Sequence, residues 1–477
     1  MAHLRFVFLS IVGFLAMTFL SAPSWGQGRK PKEAWWQQLE DATLDSLMEV
    51  ALRQNGSVHS AWDRVEQARR QLWAQRGAYA PVIGLGGGWT RQQTPGNGGG
   101  AAGMVAHSES GPSVGSRTSA ADAPLQPSRL SGTWEAQAQL NWEVDVFGRI
   151  RRLVSVQQAN LQARRADYRA AQVALCAAVA TTYLQLREQQ QELQVLRRNA
   201  RSQQAVVEMT EVRFRTGLVS KLDVAQARSV YFSTQAALPA MEASVLRSQH
   251  ALAVLLGVYP DQVASVLNPV QPLPVFVAPV EVEVPMERLL LRPDVQAAQR
   301  QVEVQRAQLG VARSAWWPRL SLQAAWGGQS SAWKDLGRRC YRTWSLTPTL
   351  QWTLTDGGQR WNRIQEQRWQ WEEVQHQYQT VVLTALQEVK DAQDTYRNAL
   401  RQQQACQSLE AEGKEVLTLS LDLYKQGLTP FQNVLDALRS LLAYEQERVR
   451  AQGWALQCLV EWYKALGEGP METDQLQ

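Results

Sequence analysis

Two spacings of apolar residues alternate along this chain. From Trp134 to Val146 the even positions are Trp, Ala, Ala, Leu, Trp, Val and Val, and the odd ones are Glu, Gln, Gln, Asn, Glu and Asp. A period of two is that of a strand with one apolar and one polar face. Trp344 to Leu354 repeats it, with Trp, Leu, Pro, Leu, Trp and Leu set against Ser, Thr, Thr, Gln and Thr. Pro81 to Trp89 and Pro318 to Trp326 alternate less cleanly. The second spacing is helical. Between Gly148 and Gly217 lie 68 residues with neither Gly nor Pro, and strong helix formers dominate them. Leu161, Tyr168 and Leu175, then Leu186, Leu193 and Ala200, recur every seven residues. At ~1.5 Å per residue this predicts a rod of roughly 100 Å that needs partner helices along its length. Its counterpart, Gln359 to Gln426, is interrupted only by Gly413.

The chain writes one unit twice. At an offset of 210 residues, Trp142 matches Trp352, Gly148 matches Gly358, Phe214-x-x-Gly217-Leu218 matches Tyr424-x-x-Gly427-Leu428, and Leu256-Gly257 matches Leu466-Gly467. Upstream the offset is 237, aligning Val58 with Val295, Leu72 with Leu309, Pro81 with Pro318 and Trp89 with Trp326. The 27 extra residues of the first copy fall in a stretch rich in Gly, Ser, Ala and Pro, which reads as a mobile loop insertion. The expected organisation is a first repeat over 34–258 carrying that insertion at 94–130, a Pro- and Val-rich linker at 268–285, a second repeat over 286–467 and a disordered tail at 468–477.

Within each repeat the chain stays helical after the Gly-Leu turn, so it returns antiparallel beside the long helix. Gly217 and Gly427 suit the left-handed position that ends a helix, and Ser220 or Thr429 can cap the next. The exposed Gly217-Leu218 and Gly427-Leu428 turns are natural docking surfaces. At the other end, each repeat offers two strands about long enough to cross a bilayer. A soluble, half-buried sheet alternates in the same way. Trp134, Trp142, Trp344 and Trp352 stand near the ends of the apolar stripes, where aromatic girdles sit. That favours an α+β membrane protein, a β-barrel continued by a long α-helical coiled-coil barrel. Four strands cannot close a barrel, and an open edge is forbidden in lipid. Copies must therefore pool strands, two giving eight and three giving twelve.

The remaining features narrow the chemistry. Arg5, the apolar run Phe6 to Leu20 and small residues near Gly26 read as a secretory signal at 1–26; the run is short for a membrane anchor. Four Cys are far apart and five His are scattered, so neither a metal site nor a cofactor is expected. No Ser-His-Asp, Cys-His or paired-carboxylate arrangement stands out, and no enzyme is expected. The net charge of +5 is modest for 477 residues and does not argue for nucleic acid. "GLGGGW" (Gly84 to Trp89) lacks the Lys-Ser/Thr of a phosphate loop and reads as strand. "RIRR" (Arg149 to Arg152) either contacts lipid head groups or is solvated.

The stretches "WEVDVFGRIRR", "RFRTGLVSKLDVAQAR", "LRPDVQAAQRQVEVQRAQLGVARSAWWPRLSL" and "YKQGLTPFQNVLDALRSLLAYEQERV" closely resemble the TolC-like outer-membrane efflux protein family, nearest to the NodT-like branch paired with RND-type pumps. The resemblance runs from about Ala34 to Gly467. It implies a homotrimer with one twelve-stranded barrel in outer-membrane lipid and a helical barrel across the periplasm. Such a duct docks to a periplasmic adaptor (membrane fusion) protein and an inner-membrane RND-type pump, and conducts without chemistry. In the family, acidic side chains of the second repeat ring the narrowest point. Their positions here are Asn433 and Asp436, so one ring keeps its acid; three such carboxylates would repel one another and attract cations. The resemblance also implies a closed-state tie between Tyr424 and Asp223. The family's second link uses a Thr and an Arg, replaced here by Leu222 and Thr429, which implies closure by fewer polar ties and more packing. A duct for type I protein secretion shares the fold. A secreted coiled-coil structural or adhesive protein is the reading of a different class.

Overall fold

Each spacing becomes its own kind of element. The computed structural model describes residues 34–93, 130–262, 267, 271–276 and 286–470. The expected signal, the insertion up to residue 129, all of the linker but 271–276, and the tail from 471 lie outside the described residues. In chain order come α1 (Ala42–Gln54), α2 (Gly56–Gly77), β1 (Val82–Gln93), β2 (Leu130–Val144), α3 (Arg149–Arg215) and α4 (Lys221–Leu256). They are followed by α5 (Met286–Leu290), α6 (Pro293–Ser314), β3 (Arg319–Ser330), β4 (Arg342–Gln351), α7 (Gln359–Lys425) and α8 (Phe431–Ala465). The long helices α3 and α7 each hold 67 residues. Among the described residues, six of the seven glycines with positive φ form three pairs 210 apart: Gly148 and Gly358, Gly217 and Gly427, Gly257 and Gly467. A backbone that needs the left-handed region at the same places in both copies explains why glycine recurs there.

Two compact units interleave these copies. One comprises Ser57–Ala170 and Pro285–Gln387; the other draws on Met1–Gly56, Ala171–Val284 and Glu388–Gln477. The strand-bearing unit holds one antiparallel sheet in the order β1-β2-β3-β4. Its register sets Trp89 opposite Trp134, Ala138 opposite Trp326, and Trp326 opposite Trp344. These residues therefore share one face with Leu140, Leu322 and Leu346. The other face carries Gln139, Gln323, Thr347 and Thr349. β1 and β4 are the edges, and both are exposed along their length. The alternation that continues to Leu354 overshoots: β4 ends at Gln351. There the indole N–H of Trp352 leaves the ladder and donates to the Trp316 carbonyl at 3.1 Å. The same bond joins Trp142 to the Tyr79 carbonyl at 2.9 Å in the first copy. Beneath the sheet, Val65, Ala68 and Leu72 of α2 pack on Ile150, Val154 and Leu161 of α3. Val304 of α6 packs on Val156 and Ala159.

In the other unit α1 is anchored by a buried polar chain. Asp41 caps the helix through the Thr43 and Leu44 amides at 2.9 and 3.2 Å and accepts the Tyr183 hydroxyl at 2.5 Å. Arg187, almost fully buried, donates to Tyr183 at 3.0 Å and to Gln190 at 2.9 Å. Helix α7 runs unbroken through Gly413, where a Cβ would stand 2.7 Å from the Tyr444 ring of α8. The glycine there seats two helices closely and does not end one.

Candidate functional site

The two Gly-Leu turns close by the same hydrogen bonds. Gly217 donates to Phe214 at 3.0 Å and Leu218 to Arg213 at 2.9 Å; Gly427 donates to Tyr424 at 3.0 Å and Leu428 to Leu423 at 2.9 Å. This double bond pattern ends a helix whose next residue is left-handed. It leaves Leu218 and Leu428 pointing outward, 68% and 70% exposed. Beyond the turns the copies diverge. Ser220 caps α4 in a reciprocal box, its hydroxyl accepting from the Asp223 amide at 3.3 Å while the Asp223 carboxylate accepts the Ser220 amide at 3.2 Å. Thr429 does not cap α8. Pro430 takes the N-cap place without a side-chain bond, and the Thr429 hydroxyl instead accepts from the Asn433 amide group at 2.6 Å.

Behind the turns lies an apolar knot of Tyr424, Phe431, Val434 and Leu435 from the second copy with Val207 and Val230 from the first. Tyr424 is buried, whereas its counterpart Phe214 is exposed. The Tyr424 ring packs in that knot, 5.1 Å from the Phe431 ring, and Arg213 covers it. Its guanidinium lies 4.7 Å from the Tyr424 ring centroid and donates to the Tyr424 carbonyl at 3.3 Å. The expected tie is not formed within the chain: among the described residues the Tyr424 hydroxyl has no hydrogen-bond partner. The Asp223 carboxylate serves the cap of its own helix. Asp223 still acts on Tyr424 through space, since burial raises the phenol, Arg213 opposes and Asp223 adds to the rise. Arg213 was missed in the sequence. The signal was there in the repeat, which sets Arg213 against Leu423 and so marks a place where the two tips cannot make the same contacts.

Asn433 and Asp436 are exposed on the first two turns of α8, three residues apart and so on one helix face. Asp436 accepts from the Gln432 side chain at 3.0 and 3.2 Å and faces Arg439 at 3.7 Å. Trp134 and Trp142 are eight residues apart on β2, about 26 Å of strand. Trp344 and Trp352 have the same separation. At the ~35–45° tilt of barrel strands this projects to about 20 Å, somewhat less than the ~25 Å height of the apolar band on outer-membrane barrels.

A family model described as Outer membrane efflux protein matches residues 47–258 and 284–468. The chain belongs to this family. Among its relatives are the pyoverdine export outer membrane protein OpmQ of Pseudomonas putida, 28% identical over 92% of this chain and 88% of that protein. Another is nodulation protein T of Rhizobium leguminosarum bv. viciae, 27% identical over 86% and 78%. The solved outer-membrane channel OprN superposes with a TM-score of 0.80 at 27% identity, covering 92% of this chain and 93% of that one. VceC from Vibrio cholerae shares the fold at a TM-score of 0.78 and 22% identity, over 92% and 100% of the two chains. The family member described here is thus an outer-membrane efflux channel with a periplasmic helical region. The reading as a secreted adhesive coiled coil falls.

Proposed function

We propose that the protein is a homotrimeric duct that carries substrate passively from a periplasmic adaptor and an inner-membrane RND-type pump to the exterior. The observation that carries this reading is the four-stranded sheet whose edge strands, among the described residues, are each paired on one side only. Lipid supplies no hydrogen bonds for such edges, so β4 of one copy pairs with β1 of the next until the ring closes. Twelve strands from three copies leave a water-filled lumen lined by the polar face of the sheet. Trp134, Trp142, Trp344 and Trp352 form the girdles at the two interfaces.

At the periplasmic end Asp436 supplies the one acidic ring of the gate, with Asn433 as a neutral second tier. The exposed Gly217-Leu218 and Gly427-Leu428 turns are where the adaptor docks. The closing contact between copies of the repeat is the Arg213–Tyr424 pair backed by the apolar knot, in place of a Tyr424–Asp223 bond. Planar-bilayer recording tests the duct directly. Discrete, ion-conducting openings are expected from the purified protein, and silence from a correctly folded preparation would refute the reading.

A further inference from the structure

Two arginines stand on the face of the sheet that this reading turns to lipid. Arg91 lies two residues beyond Trp89 on β1, and Arg342 lies two residues before Trp344 on β4. The period of two puts each on the same face as its tryptophan, about 7 Å farther from the helical end of the strand. The other ends of these strands lead to α2 and α7. With the helices in the periplasm, the arginine end is the external one.

The repeat shows that these positions are particular to the edges. The counterpart of Arg91 is Gly328 and that of Arg342 is Gly132, both on the inner strands. Both glycines are closely approached: a Cβ at Gly328 would clash at 2.7 Å from the Leu336 carbonyl, and one at Gly132 would make a tight contact at 3.3 Å from the Trp89 indole nitrogen. The edge strands are open, and there the chain places guanidinium groups. Both are exposed, and neither has an ion-pair partner among the described residues. Of the described acids at this end, Glu135 pairs across the ladder with Gly88 and so sits on the opposite face. Asp335 is engaged by Arg338 at 3.2 Å. Exposed Lys334 and Arg339 in the adjoining turn add further positive charge.

A guanidinium without an ion pair among the described residues, just outside an aromatic row, lies where head-group phosphates lie, and its planar fork of donors matches a phosphate. We propose that Arg91 and Arg342 bind the phosphate groups of the anionic glycolipid that forms the outer leaflet of the outer membrane. Because they occupy the two edge strands, they flank each seam between neighbouring subunits, and the bound lipid seals that seam from outside. The proposal rests on the duct reading for its orientation in the membrane.

The test uses the full-length protein in mild detergent, wild type beside Arg91→Gln/Arg342→Gln and Arg91→Lys/Arg342→Lys. Diphosphoryl lipid A and its dephosphorylated form are the probes, read by native mass spectrometry. Wild type should bind the diphosphoryl lipid about tenfold more tightly than the Gln pair does. The Lys pair should keep most of that binding, and all three should hold the dephosphorylated lipid equally weakly. Undiminished binding by the Gln pair, or no preference of wild type for the phosphorylated lipid, overturns the proposal. Displacement of lipid A by inorganic phosphate also overturns it, since the site would then be one for free anions. The same preparations are recorded in planar bilayers. Openings in all three with no phosphate preference refute the lipid site alone, whereas silent wild type refutes the duct.

Discussion

Arg213 does at the tip what a tyrosine–aspartate bond would otherwise do. A cation over a ring, with a hydrogen bond to the same residue's carbonyl, ties the first copy of the repeat to the second. Arg213→Ala should loosen the tip by about 1–2 kcal/mol, read as faster amide hydrogen exchange around both turns and a higher open probability. Tyr424→Phe removes a hydroxyl without a partner among the described residues and should leave both measures unchanged. Equal damage from the two substitutions would return the hydroxyl to the tie. In the proposed trimeric gate, three Asp436 carboxylates near one axis would favour cations. Asp436→Ala should lower the cation-to-anion permeability ratio by about twofold or more, and an unchanged reversal potential under a salt gradient would remove the residue from the pore. Chemistry at this scale was partly legible. Asp436 and Tyr424 stand out through the family resemblance, while the Arg213 contact is tertiary and no local spacing announces it.

At the scale of elements the sequence reads more clearly, because a long periodic segment averages over its exceptions. Both 67-residue helices follow from stretches almost empty of Gly and Pro. Periodicity alone misplaces the end of β4, which stops at Gln351 although the alternation continues to Leu354, and it does not show that Gly413 meets the Tyr444 ring inside a helix. Gly413→Ala, which stabilises an exposed helix by up to about 1 kcal/mol, should here destabilise by about 1 kcal/mol or more. Pairing it with Tyr444→Leu should recover the loss. A cost that persists in the double variant would show that the ring is not the cause.

Charge between elements gives a further expectation. Glu188 of α3 accepts from Gln457 of α8 at 3.0 Å, and burial, with Glu192 adding to it and Arg450 opposing, pushes its carboxyl up to about 7. A carboxyl raised in the folded state binds its proton more tightly there than when unfolded. Its stabilising contribution is full below the unfolded value near 4.5 and fades as pH rises through about 7. Glu188→Gln should therefore raise thermal stability at pH 8 by about 2 kcal/mol and flatten the slope between pH 5 and 8. An unaltered slope would mean that Glu188 is hydrated in the assembled protein.

For the molecule as a whole, what decides function is a deficit. Among the described residues the sheet has an apolar face bearing tryptophans and two bare edges, and no arrangement of these strands from one copy satisfies those edges in lipid. That deficit was readable from four alternating stretches and an internal repeat. The number of copies was not, because eight and twelve strands both close and only the family resemblance favours three. The most direct measurement is the mass of the detergent-solubilised particle by native mass spectrometry, taken on the fraction that conducts in bilayers. The account predicts three chains in every conducting particle. A single chain that is stable in mild detergent and conducts nothing would contradict it.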